Sequence, residues 1–422
     1  MKWKTLFAIL YLYLICISGC ASTGYKEGSK QLNSKEMQSK PYVVLVSIDG
    51  YRSDYTRLYS PPTLTKLQKE GASTKALLPV YPSKTFTNHY SIITGLYADH
   101  HGIVANYFYD PLRKQEYKIS NPKATHDGTW YGGTPLWVAA EKQGMLSATF
   151  FWPGSEADIQ GILPRYYFEY NPQTSLEKRV DQVNQWLSLP PEKRPHLVAV
   201  YFSDVDDAGH KFGPNSEEVK NAVLKVDQAV ERLIKGIEAT RLPVNVIVVS
   251  DHGMQEVDYS KIEFLDNYTD LSSARVYTDG PQALIYSDDP RQVDQIYKDL
   301  KKKEGPFKVY KRQDLPSRFH YSLLPRSGDV IVVPEVPYAV ALSSMMSQFN
   351  SKGVHGYDPD HTPTMHGIFY AQGPHIYPKK KLEPFRNIHL YPFIIDILGL
   401  KYLSPIDGDP GVLKSLIKPS IQ

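Results

Sequence analysis

Three apolar runs constrain this chain more than any other feature. Residues 42–48, 196–202 and 244–249 are almost free of polar side chains. A run without polar alternation fits a strand buried on both faces, as in the parallel sheets of α/β proteins. Each run then meets aspartate: Asp49 after the first, Asp204, Asp206 and Asp207 after the second, Asp251 after the third. In open α/β sheets ligand sites gather at the carboxyl ends of strands. Aspartates far apart in sequence are therefore expected side by side.

The spacing between the runs predicts helices over 62–70, 85–94, 136–143, 176–187 and 216–240, with Gly71, Gly95 and Gly144 as stops. A further strand is predicted at 147–151. Alternating strand and helix argue an α/β fold with a mostly parallel central sheet flanked by helices. Residues 259–341 read differently, as strands around one helix at 290–303, and suggest a small inserted α+β subdomain. The sheet is expected to resume at 367–371, before a last helix at 392–398. The 422 residues would allow two or three domains. This pattern reads as one catalytic domain, 41–420, carrying the insertion.

Cysteine usage limits the chemistry. The chain has two cysteines, Cys16 and Cys20, against 13 histidines. The body of the protein holds no disulfide framework and no cysteine zinc module. A metal must be held by His, Asp, Glu or hydroxyl oxygen. Residues 1–19 pair two lysines with an apolar stretch too short to span a bilayer, the pattern of a signal peptide. Ile17-Ser18-Gly19-Cys20 resembles a bacterial lipoprotein cleavage box, which implies a lipid on Cys20, export, and anchoring to the cell envelope. Residues 20–40 have few bulky apolar side chains and read as a flexible tether reaching roughly 25 Å. Removing Lys2 and Lys4 lowers the formal charge of +3 by two, to +1. Nothing then favours nucleic acid as a partner. The runs Lys301-Lys302-Lys303 and Lys379-Lys380-Lys381 read as solvated faces. No segment requires an obligate protein partner.

Asp206 precedes His210 by four residues, Asp251 precedes His252, and a late loop carries His355 between glycines. Mixed Asp and His ligands suit zinc, and two ions can share such a cluster. Thr85, at the start of a predicted helix, is the candidate nucleophile. Backbone N–H groups and the helix dipole favour an anion there.

The ordered motifs carry a resemblance. Ser47-Ile48-Asp49-Gly50-Tyr51-Arg52, Pro82-Ser83-Lys84-Thr85-Phe86-Thr87-Asn88-His89 and Phe151-Trp152-Pro153-Gly154-Ser155-Glu156 come first. Ser250-Asp251-His252-Gly253-Met254 and Gly353-Val354-His355-Gly356-Tyr357-Asp358 follow. Together they resemble the nucleotide pyrophosphatase/phosphodiesterase family of the alkaline phosphatase superfamily. The resemblance implies an alkaline-phosphatase-like core and two zinc ions. One would be held by Asp206, His210 and His355, the other by Asp49, Thr85, Asp251 and His252. It implies a covalent intermediate on Thr85, Asn106 bonding a phosphate oxygen, and Phe86 with Tyr167 sandwiching a nucleobase. His366 and His361 are expected not to be ligands. The favoured substrate is a nucleotide phosphodiester or pyrophosphate, cut to release a nucleoside monophosphate. A phospholipid or lysophospholipid headgroup is the alternative. A non-catalytic lipoprotein that binds a metal or a partner is the alternative of another class. A sulfatase is disfavoured, because a Cys- or Ser-x-Pro-x-Arg motif is absent.

Overall fold

The computed structural model describes residues 24–348 and 350–419. The segment 1–19 expected to be a signal peptide and Cys20, the expected lipid site, lie outside them. The three apolar runs form the strands Tyr42–Ile48, Leu197–Phe202 and Val244–Val249. They lie parallel and adjacent, with Tyr42–Ile48 between the other two. Ser147–Phe150 and Tyr166–Phe168 extend the sheet in parallel beyond Leu197–Phe202. On the far side Phe369–Gln372 joins Val244–Val249 antiparallel, followed by Ala72–Thr74 and Lys381–Leu382. The result is a nine-stranded sheet, parallel at its centre and mixed at its edges.

Side chains alternate faces along each strand, and both faces are covered. Val43, Leu45, Ile247 and Val249 point into one core with the helices Thr85–Thr94, Leu136–Lys142 and Leu390–Leu398. Val44, Val46, Ile48, Val246 and Val248 point into the other, with Leu176–Leu187 and Glu217–Thr240. Burial on both faces is why these strands read as unbroken apolar runs.

The insertion is an antiparallel sheet ordered Arg275–Thr278, Ala283–Tyr286, Val330–Pro334, Phe307–Lys311. Helix Pro290–Lys301 covers one face through Ile296 and Leu300, against Ile285, Val330 and Val332. Leu284, Tyr286, Ile331 and Val333, on the other face, join the main core. The insertion therefore shares its packing with the body.

One expectation is corrected. The chain is not a tether up to residue 40. Lys26–Glu27 pairs antiparallel with Tyr167 and Tyr166 at the sheet edge. Asn33 then acts as a strap: its amide donates to Pro191 O and Arg194 O at 2.8 and 2.6 Å, and its Oδ1 accepts from Leu146 N at 2.7 Å. Met37 is buried in the core. After Phe202 the chain forms the helix Asp204–Phe212, which the sequence pattern did not predict. Its polar composition hid it, and its turn is what sets Asp206 above His210.

Candidate active site

The carboxyl ends of the central strands converge as expected. Asp49 and Asp251 end neighbouring strands and are both about 1% exposed. Gly50 turns the chain after Asp49 with φ +65°, and a Cβ there would lie 2.9 Å from the Asp206 Cα. This glycine lets Asp49 and Asp206 share one space. Helix Asp204–Phe212 places Asp206 Oδ2 3.4 Å from His210 Nε2. Asp206 Oδ1 lies 3.8 Å from His355 Nε2.

Thr85 is the first residue of helix Thr85–Thr94. Its Oγ1 lies 3.3 Å from His252 Nε2. The loop before it is stapled to the loop bearing His355. Ser83 Oγ donates to Tyr357 O at 2.7 Å, His355 Nδ1 donates to Ser83 O at 2.8 Å, and Lys84 Nζ donates to His355 O at 2.6 Å. The segments bearing Thr85 and His355 are thereby held as one unit.

The three histidines share a tautomer. Nδ1 donates to a backbone carbonyl in each: Gly353 O for His210 at 2.7 Å, Gly253 O for His252 at 2.8 Å, and Ser83 O for His355. In its neutral form each ring therefore presents the Nε2 lone pair to the cluster. The oxygens it meets are Asp49 Oδ1, Asp206 Oδ1 and Asp251 Oδ2, all buried and without a hydrogen-bond partner. Lone pairs facing orphaned carboxylate oxygens need cations between them. Donor atoms of Asp206, His210 and His355 lie within 4.8 Å of one another, as do those of Asp49, Asp206 and His252, and of Asp49, His89 and Asp251. The donor set thus fits metal. Burial, then the charges of Asp251 and Asp206, push the Asp49 carboxyl well above its usual range. Burial, then the cationic forms of His252 and Lys84, hold His355 well below its own. For His252, burial opposes protonation but the Asp251 carboxylate outweighs it. Metal binding displaces such protons.

A cavity of about 300 Å³ opens beside the cluster, lined by Asp49, Thr85, Phe86, Asn106, Asp206, His210 and His355 among others. Asn106 Oδ1 accepts from Phe86 N at 3.0 Å. That bond commits the oxygen and leaves the amide N–H groups for an anion. Tyr167 does not line this cavity; it lies in strand Tyr166–Phe168 opposite Lys26. Tyr170, three residues on and past the strand end, does. The cavity's aromatic wall is therefore Phe86, Phe151, Trp152, Tyr170 and Tyr201. Phe151 takes a left-handed backbone, φ 65°, where the chain turns off strand Ser147–Phe150 to form that wall.

His366 Nε2 bonds Pro359 O at 2.8 Å and joins none of the donor groups found among the described residues. The His361 side chain is 74% exposed. Sequence reading missed two supporting residues. Tyr201 OH donates to Asp49 Oδ2 at 2.6 Å, which leaves Oδ1 for the cluster. His89, four residues after Thr85, bonds Thr85 O at 2.9 Å and Ser47 Oγ at 2.8 Å, and its Nδ1 lies 3.2 Å from Asp251 Oδ2. The helical interval Thr85 to His89 was the available signal.

Comparison with known proteins places this geometry. Residues 43–358 match the family model described as type I phosphodiesterase / nucleotide pyrophosphatase. An uncharacterized pyrophosphatase/phosphodiesterase of Schizosaccharomyces pombe is 36% identical over 375 residues, covering 85% of this chain and 77% of its own. Human ectonucleotide pyrophosphatase/phosphodiesterase family member 1 is 36% identical over 90% of this chain and 42% of its own. The venom phosphodiesterase of Naja atra is 35% identical over 89% and 46%. The chain thus spans less than half the length of the human and Naja atra proteins. Murine ectonucleotide pyrophosphatase / phosphodiesterase 5, solved as an inactive variant in complex with AMP, superposes with a TM-score of 0.84 at 30% identity. That match covers 90% of this chain and all of the murine one. The chain belongs to the type I phosphodiesterase / nucleotide pyrophosphatase family.

Proposed function

We propose that this protein is a two-zinc hydrolase that cleaves phosphodiester or pyrophosphate bonds of nucleotides and releases a nucleoside monophosphate. The observation that carries the reading is the placement of Thr85. It stands at a helix N-terminus, 3.3 Å from His252 Nε2, on the wall of a cavity with metal ligands to one side and aromatic rings to the other. Asp206, His210 and His355 would hold one ion; Asp49, Asp251, His252 and the Thr85 oxygen would hold the second. Bound there, zinc supplies Lewis-acid charge that favours a deprotonated hydroxyl and offsets negative charge on the phosphoryl group.

The chain's own groups do the rest. Thr85 Oγ attacks phosphorus in line, the bond from phosphorus to the leaving oxygen breaks, and a nucleotidyl-threonine forms. Water then cleaves the Thr85 ester and regenerates the hydroxyl. Asn106 donates its amide protons to a non-bridging oxygen as charge grows there. Phe86 and Tyr170 hold the base, with Tyr170 in place of Tyr167.

The test compares an AMP p-nitrophenyl ester with lysophosphatidylcholine on purified protein and on Tyr170→Ala. Stacking on one aromatic is worth about 1–3 kcal/mol, so Tyr170→Ala should raise KM for the nucleotide roughly 5- to 100-fold. Preferred cleavage of the lysophospholipid, insensitive to Tyr170, would establish the headgroup alternative.

Export and lipidation belong to the same proposal. Cys20→Ala should move the protein from the membrane fraction to the soluble one. A wild-type protein that fractionates as soluble would refute the anchor.

A further inference from the structure

A second cavity of about 360 Å³ adjoins the first and shares Asn106, His210 and His355 with it. It touches neither Thr85 nor the aromatic wall. His210 and His355, on the side from which a group expelled in line from Thr85 would depart, line both spaces. The following inference rests on the hydrolase reading above.

Charge in this space is set by one ion pair. Lys84 is the one lysine or arginine among the described residues lining it. Its side chain is 4% exposed and its Nζ is already engaged, 2.6 Å from His355 O and 2.6 Å from Asp279 Oδ2. Gly356 packs against its stem: a Cβ there would lie 2.4 Å from the Lys84 Cε, so the ammonium has little room to swing away. The Asp279 side chain is 52% exposed. A departing group therefore meets the carboxylate more readily than the cation it caps. Asp279 belongs to the insertion, just after strand Arg275–Thr278. Thr278 Oγ1 fixes that turn by donating to Gln282 O at 2.7 Å.

We propose that Asp279 sorts substrates by the charge of the leaving group. By capping Lys84 it withholds the one lysine or arginine charge found among the described residues of the second cavity, which disfavours polyanionic leaving groups relative to weakly charged ones. ATP and the p-nitrophenyl ester of AMP isolate the effect. In both, water is consumed, the bond from the α-phosphorus to the leaving oxygen breaks, and AMP is released. Only the leaving group differs: pyrophosphate in one, p-nitrophenolate in the other.

The experiment measures kcat/KM for both substrates on metal-loaded wild type, Asp279→Asn, Asp279→Glu and Asp288→Asn, the last an exposed carboxylate lining a different cavity. Asp279→Asn should raise the ratio of ATP to p-nitrophenyl ester roughly tenfold. Asp279→Glu and Asp288→Asn should keep the wild-type ratio. An Asp279→Asn ratio within twofold of wild type, or a lower one, overturns the proposal, including when both rates fall together. A wild type that cleaves neither substrate overturns the hydrolase reading and this inference with it. A wild type that cleaves them with the ratio unmoved by Asp279→Asn overturns this inference alone.

Discussion

Thr85→Ala should reduce turnover by roughly ten-thousandfold or more, the scale on which removal of a catalytic nucleophile acts. The protein should still fold and still bind metal. The Thr85 hydroxyl makes one side-chain contact, to His252 Nε2. Its helix is held instead by Asn88, whose amide donates to Pro82 O at 2.9 Å, and by a largely buried apolar face. Asp49, Asp251 and His252 remain as donors. Metal content by elemental analysis and the melting temperature should therefore stay close to wild type while activity vanishes. Thr85→Ser should retain measurable turnover, because the hydroxyl keeps its place at the helix start. Near-normal activity in Thr85→Ala would remove Thr85 from the mechanism.

Stripping the metal should be as severe for activity and should also cost stability. Three imidazole lone pairs and three orphaned carboxylate oxygens face one buried space. A ligand that binds only the folded state adds about 4 kcal/mol at a thousand times its dissociation constant. Dialysis against a chelator should thus lower the melting temperature by several degrees and abolish hydrolysis, and added zinc should restore both. His355→Ala should lower metal occupancy, whereas His366→Ala should not, since that ring is spent on Pro359 O. Full activity after complete demetallation, checked by elemental analysis, would sink the metal assignment.

What could be read from the sequence follows from how each residue is fixed. Asp49 and Asp251 were legible because apolar strands point at them and their position needs only the sheet. His355 was legible through its glycine-flanked motif. Tyr170 was not, because Tyr166-Tyr167-Phe168-Glu169-Tyr170 offers three tyrosines within five residues. The choice depends on where the strand ends and the chain turns, which pattern alone does not show. The strap at Asn33 was hidden for a different reason. Its order comes from one side-chain amide bonding three backbone groups, a contribution that composition does not register. His89 lay inside a recognised motif, one helical turn after Thr85, yet that interval does not report that its work is to support others.

The edge pairing of Lys26–Glu27 changes what it means for this enzyme to be attached to anything. Five residue steps lead from Cys20 to Tyr25, and extended chain covers at most about 3.5 Å per residue. A fixture at Cys20 would leave a leash of about 18 Å at full stretch, delivered to a defined spot on the body. That spot adjoins Tyr166 and Tyr167, and Lys26 is ion-paired to Glu169, the residue before Tyr170. Whatever holds the chain by its front end therefore holds it beside the aromatic wall. The mouth of the cleft would keep a set attitude toward its support, instead of sweeping a hemisphere around it.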